Sequence, residues 1–183
     1  MDNTIKSYFE NLQSQDKDIR YQAFIQLLTV TEEKVEWAYE VWDKLKDDLV
    51  HTNNHRRAIA AQLLANLAKS DPEERMLTDF SELLARTKDE RFVTARHCLQ
   101  SLWKIGIAGD KQKELVVSGL ENRFHQCVNE KNSTLIRFDI IQGLRKLYDN
   151  QKDHSIKNKA LELIETEEEV KYRKKYAAVW KNS

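Results

Sequence analysis

Turn-forming residues are nearly missing from this chain: four glycines and one proline serve 183 residues. An all-β fold punctuates its strands with both, and a phosphate-cradling loop needs a run of glycine, so neither is expected. Cysteine is equally scarce. Cys98 and Cys127 are the two in the chain. They form no CxxC spacing, so neither a disulfide framework nor a structural zinc site is expected, and a reducing cytoplasm fits. No apolar run approaches the ~18 residues of a membrane span. Residues 1–9 carry Asp2, Asn3 and Lys6 where a secretory signal needs an apolar core, so neither export by that route nor a membrane partner is expected. Asn132-Ser133-Thr134 is accordingly read as a helix-start cluster rather than a glycosylation site. An excess of one charge is missing too: 30 basic residues balance 30 acidic ones. No overall field draws the chain to nucleic acid or anionic lipid, although a local patch is still allowed.

What is present is helical periodicity from end to end, interrupted by polar clusters with capping character. The segmentation gives five helix pairs in one domain over residues 1–183: 4–12 with 18–30, 33–49 with 54–68, 73–85 with 91–105, 111–128 with 134–148, and 155–164 with 167–181. Asp16 or Asp18 is placed to cap the second helix. Ser70-Asp71-Pro72-Glu73-Glu74 predicts a sharp helix start, with Asp71 as cap, Pro72 in the first turn and both Glu residues at the positive end. Gly106 and Gly109 bracket a turn where glycine supplies positive φ. Thr166 with Glu169 reads as a capping box. This tally leaves no room for a sheet.

The second helices resemble one another at a period of roughly 35 to 45 residues, which is the mark of stacked units. Ile19-Arg20-Tyr21-Gln22-Ala23 leads to Leu27, and Ile136-Arg137-Phe138-Asp139-Ile140 leads to Leu144. His55-Arg56-Arg57-Ala58-Ile59, leading to Leu63, is a weaker copy 36 residues after the first. On Asp18, Ile19, Arg20, Ala23 and Leu27 the chain resembles the HEAT-repeat family. The resemblance implies a right-handed α-solenoid whose second helices line a concave face, and a module that binds macromolecules without catalysis. It also implies that Arg20, Arg56, Arg137 and Arg173 form a structural ladder, each bonding an Asp or a backbone carbonyl near a turn. The TPR pattern fits less well, because its 34-residue period and its Gly and Pro positions are not kept.

A helical projection at ~100° per residue finds two apolar stripes on the first repeat, Ile19/Ala23/Leu27/Val30 and Tyr21/Phe24/Leu28. Both are expected to be buried, leaving Asp18, Gln22, Gln26 and Thr29 uncovered. The corresponding strips are Ala58, Gln62 and Ala65 in the second repeat, and Asp139, Gln142 and Lys146 in the fourth. Arg96, His97, Gln100 and Lys104 are the varied residues of the third. If these line the concave face, its first half is nearly uncharged, which suits a protein or peptide better than phosphates that need Lys or Arg. Lys171, Arg173, Lys174 and Lys175 form a basic stretch, either a solubilising end cap or a patch for an acidic partner or nucleic acid.

No metal or cofactor is expected. His51 and His55 stand four apart, but Thr52-Asn53-Asn54 breaks the helix between them. The HEAT-repeat deoxyhypusine hydroxylases bind iron through His-Glu pairs, and no histidine here precedes a glutamate. HEAT-like alkylpurine DNA glycosylases use concave aromatics and an Asp. Trp37, Trp42, Trp103 and Trp180 are available, yet Trp42 and Trp103 project onto core-like stripes, and none of the glycosylase residues can be placed. No paired nucleophile and base is recognisable. The expectation is a non-catalytic module taking a protein or peptide, with a nucleic-acid-associated relative of the glycosylases as the alternative.

Overall fold

In a computed structural model of the protein, residues 1–181 are described, and among them no strand forms. The helical segments are α1 (Asn3–Asn11), α2 (Lys17–Val30), α3 (Ala38–Asp48), α4 (Asn54–Leu67), α5 (Arg75–Arg86), α6 (Phe92–Ser101), α7 (Trp103–Gly106), α8 (Asp110–Gln126), α9 (Ser133–Gln151), α10 (His154–Glu165) and α11 (Val170–Val179). Segments α6 and α7 are one helix interrupted at Leu102. There the Ser101 hydroxyl donates to the Cys98 carbonyl at 2.7 Å and Ile105 N bonds Leu102 O, a tightened three-residue turn that a back-bonding serine favours. The segments therefore group along the chain into five successive pairs whose members pack on each other: α1/α2, α3/α4, α5/α6–α7, α8/α9 and α10/α11.

The pairs stack in order. The second helices pack one upon the next, α2 on α4, α4 on α6, α6 on α9 and α9 on α11, while α8 packs against α5 and α10 in the other layer. One apolar cluster runs between the layers from Ile5 to Trp180. Leu27, Leu64 and Leu144 are fully buried in it, each contributing roughly 1.5–3 kcal/mol of apolar burial.

A side-chain oxygen that accepts from the backbone N two residues on recurs before four of the five second helices, at the N-cap of α2 and α4 and two residues ahead of it at α6 and α11. Asp16 Oδ1 accepts from Asp18 N, Asn53 Oδ1 from His55 N, Asp89 Oδ1 from Arg91 N and Glu167 Oε1 from Glu169 N. Four residues past the first two caps stand Arg20 and Arg57. Arg20 donates to the carbonyls of Ser14 and Gln15, and Arg57 to those of His51 and Thr52. The expected register is thus corrected: Arg57 rather than Arg56 is the counterpart of Arg20, the spacing is 37 residues rather than 36, and Leu64 rather than Leu63 answers Leu27. Arg57 and Arg137 also reach the next pair, Arg57 to both oxygens of Asp89 at 2.6 and 2.9 Å and Arg137 to Glu167 at 2.8 Å. Arg56 turns instead to Asp48 and His51. Among the described residues Arg173 joins no such bond, so the ladder holds at three positions.

Several boundaries differ from expectation. The helix expected from residue 33 begins only at Ala38, because Val35 N is drawn to Ser70 Oγ and Lys69 to Glu32 O, which ties this segment to the end of α4. Asp71 accepts from Arg75 N and Met76 N at the start of α5, but the N-cap position is Glu74 rather than Asp71. Pro72 and Glu73 lie outside the helix because the Tyr39 hydroxyl donates to Asp71 and accepts from Glu73 N, and Glu74 is left-handed at φ 55°. Neither Gly106 nor Gly109 has positive φ. Gly106 instead lies at a close approach, where a Cβ would meet Leu147 Cδ1 at 2.9 Å and that side chain would have to shift. Thr166 closes α10 by bonding Leu163 O, and the expected capping box does not form: Glu169 is the N-cap of α11 without a side-chain cap bond, and Glu167 accepts from Glu169 N just ahead of it.

Candidate interaction groove

The exposed surface of the second helices forms a groove in two joined sections. Near the N-terminal halves of α2, α4 and α6 lies a recess of 380 Å³ lined by Lys17, Arg20, Tyr21, Phe24, Asn54, His55, Ala58, Ile59, Gln62, Val93, Thr94 and His97. Gln62 and His97 continue into a second recess of 230 Å³ with Leu28, Asn66, Gln100, Ser101, Trp103, Lys104 and Lys146. The first section has an apolar floor. Tyr21 and Val93 stand 60% and 66% exposed, while the polar groups beside them are turned inward: Gln62 donates to Ala58 O, and Arg20 serves its two carbonyls.

The groove accounts for some of the expected strip. Arg96 and Gln100 converge on Asp139, Arg96 through a two-pronged bond at 2.7 and 2.9 Å and Gln100 at 3.1 Å. The Asp139 carboxylate is fully buried, so this knot ties α6 to α9 and leaves little for a ligand. Lys104 donates to Asn66 Oδ1 at 2.8 Å, and Asn66 donates to Thr31 Oγ1 and Leu28 O. His97 lies at the junction of the two sections with one side open to solvent, and the partial burial of its ring, then the Arg96 charge, hold its imidazole below the usual range. Gln142 sits half-buried on α9.

Gln22 and Gln26 do not join them. They line another recess with Tyr8, Asn11, Asp18, Ile19 and Ala23, on the side of α2 that faces α1. Asp18, Gln22, Gln26 and Thr29 are uncovered as expected, but the groove is lined on α2 by the exposed Tyr21 and by Phe24 and Leu28, which are half-buried against the core rather than fully buried. Trp103 packs against the core as expected but also opens onto the groove. It is half-buried at the groove, with Lys104 Nζ and Lys146 Nζ 6.0 and 5.9 Å from its ring centre, whereas Trp42 is fully buried and donates to Asp79. In the basic stretch, Lys175 Nζ lies 4.6 Å from the Phe138 ring centre and Lys171 Nζ 5.5 Å from that of Tyr172. Lys174 is exposed and Arg173 half-buried on the same helix.

Lys104 and Lys146 lie on this face as expected, but its first half, expected to be nearly uncharged, also carries Lys17 and Arg20. Lys17, Arg20, Lys104 and Lys146 line its two sections, and among the described residues no Asp or Glu does. Sequence reasoning missed Tyr21, Val93 and Trp103 as groove residues. For Tyr21 the signal was a second apolar stripe on α2 that the core does not fully bury. Reactive thiol chemistry finds no foothold at Cys98, which is fully buried, donates to Leu83 O and has its thiol pushed up to about 12 by burial.

These features define an all-helical protein of consecutively packed helix pairs with a groove across its second helices. No family model matches the chain, and no curated protein matches it. Among solved structures, the crystal structure of an engineered protein from the Northeast Structural Genomics Consortium is similar over 97% of this chain and 95% of its own length. Its TM-score is 0.52 and its sequence identity 14%, a likeness that shows the fold alone.

Proposed function

We propose that the five pairs form a right-handed solenoid of the HEAT kind, a non-catalytic cytoplasmic module that holds a segment of another protein in the groove across α2, α4 and α6. The observation that carries this reading is the apolar floor with Tyr21 and Val93 exposed on it, beside polar side chains whose bonds are already made within the fold. Exposed apolar area rimmed by polar groups is the usual form of a protein-binding surface. The recurring cap and arginine bonds, and the packing of each pair on its neighbours, support the solenoid.

The acid-free lining favours a second reading, the nucleic-acid-associated alternative. It is the weaker one. A duplex binder makes about 6–10 phosphate contacts, and here Arg20 is committed to carbonyls and Lys104 to Asn66. Affinity capture from cytoplasm, with and without nuclease, tests the choice when the wild-type chain is run beside Val93→Asp. A protein retained by the wild type after nuclease and lost by the variant is the expected result. Retention of nucleic acid alone, or retention indifferent to the variant, overturns the reading.

A further inference from the structure

We propose that the segment held in the groove is an acidic one with an apolar anchor, its branched or aromatic side chains seated among Tyr21, Ile59 and Val93 and a carboxylate placed at Trp103 between Lys104 and Lys146. The inference rests on the interaction-module reading and specifies its ligand. Three observations carry it. The two sections share Gln62 and His97, so one ligand can cross from the apolar floor to the cationic end. In a chain whose 30 acids balance its 30 bases, the groove lining among the described residues has four Lys or Arg and no acid. Finally, Lys104 and Lys146 flank the Trp103 ring at 6.0 and 5.9 Å, and among the described residues neither forms an ion pair, although the chain pairs Lys46, Lys113 and Lys159 elsewhere.

The exposed Lys146 repels Lys104 across the ring, and the half-buried Lys104 also loses part of its hydration. At Lys104 burial acts first and holds the amine below its usual range, with the fields of Lys69 and Lys146 in the same direction and that of Glu32 opposed. Asn66 offers Lys104 a neutral oxygen only. A carboxylate arriving from a ligand supplies the missing countercharge, and charge-assisted bonds of this kind are the stronger class. A phosphate has the same sign, but the apolar floor at the other end has no use in gripping a polyanion. A peptide side chain fills it.

The test pans random twelve-residue peptides on the purified full chain at about 0.15 M salt, then measures the selected peptides on wild type, Lys146→Gln, Lys104→Gln/Lys146→Gln and Val93→Asp. Lys146 is exposed, so its single variant keeps the fold, and circular dichroism verifies that all four do. The expected outcome is selection of peptides joining an apolar cluster to Asp or Glu. Affinity should fall about fivefold in Lys146→Gln and tenfold or more in the double variant, with a flatter salt dependence, and should be lost in Val93→Asp. Selection of apolar peptides without acid, or acidic peptides indifferent to both lysine variants, overturns the inference while leaving the module reading intact. Selection of nothing, beside binding of a single-stranded oligothymidylate that requires the same lysines, overturns both.

Discussion

Arg57 carries its charge into a site where its side chain is 6% exposed, and the Asp89 carboxylate that meets it is 1% exposed. Burial alone pushes Asp89 up, but hydrogen bonds from Arg57 and Arg91 N, with the charges of Arg57 and Arg86, overcome it and hold the carboxyl below its usual range. Removing one partner strands the other. Arg57→Ala should therefore cost about 3–5 kcal/mol, and Arg56→Ala, whose Asp48 partner keeps 13% of its side chain open to water, should cost less. Denaturant midpoints of the two variants check the register, since equal losses contradict it. The sequence shows two adjacent arginines, and residue class alone cannot choose between them. The choice is made by the Asn53 cap, which fixes the helix start four residues earlier.

A second residue-scale case is Asp153, which caps α10. Bonds from the Ser155 hydroxyl, from Lys113 and from Ser155 N hold its carboxyl down at about 2, against an ordinary 3.8. A group depressed in the folded state contributes stability above its unfolded value, and that contribution is lost as pH falls through the folded value. Stability should thus decline between about pH 4 and about pH 2. Asp153→Asn, which keeps an acceptor but does not titrate, should show a shallower decline than wild type in acid titrations followed by circular dichroism. Equal slopes defeat the assignment.

At the scale of elements, two mid-helix glycines look alike in sequence and act oppositely in the fold. A Cβ on Gly119 would meet the buried Phe80 ring at 2.8 and 3.1 Å, where α8 crosses α5. On Gly143 it would find only Leu120 Cδ1 at 3.8 Å, an ordinary contact. Alanine recovers about 1 kcal/mol of helix propensity at either place, but overpacking costs about 1–3 kcal/mol at the first. Gly143→Ala should therefore raise the melting temperature and Gly119→Ala should leave it equal or lower it. The helix pairs themselves are legible in sequence, since periodicity and caps set them. The face that each helix presents is less so. On α2 two apolar stripes compete, and Ala23 and Leu27 are the residues that the core buries, which leaves Tyr21, Phe24 and Leu28 to the groove. Choosing between such stripes requires knowing where α4 packs, and that information is not local to α2.

For the whole molecule, the helices that pack extensively belong to one pair or to successive pairs. Stability in such an arrangement is approximately a sum of unit and nearest-neighbour terms, so it should grade along the chain rather than be uniform. Helix α4 buries nine residues, from Arg57 to Leu67, and is packed by α2, α3 and α6. At the two ends the burial is thin: Ile5 is the buried residue of α1 and Tyr176 that of α11. Opening either end helix exposes little, whereas opening α4, α6 or α9 breaks the stack on both sides. Native-state hydrogen exchange should find the slowest amides in α4, α6 and α9 and the fastest helical amides in α1 and α11, with local opening free energies falling toward the ends. A flat profile, in which every helix exchanges only through global unfolding, contradicts nearest-neighbour stability. The groove lies against the most protected helices α4 and α6, so this gradient also predicts a rigid binding floor, with side chains rather than backbone adjusting to the ligand.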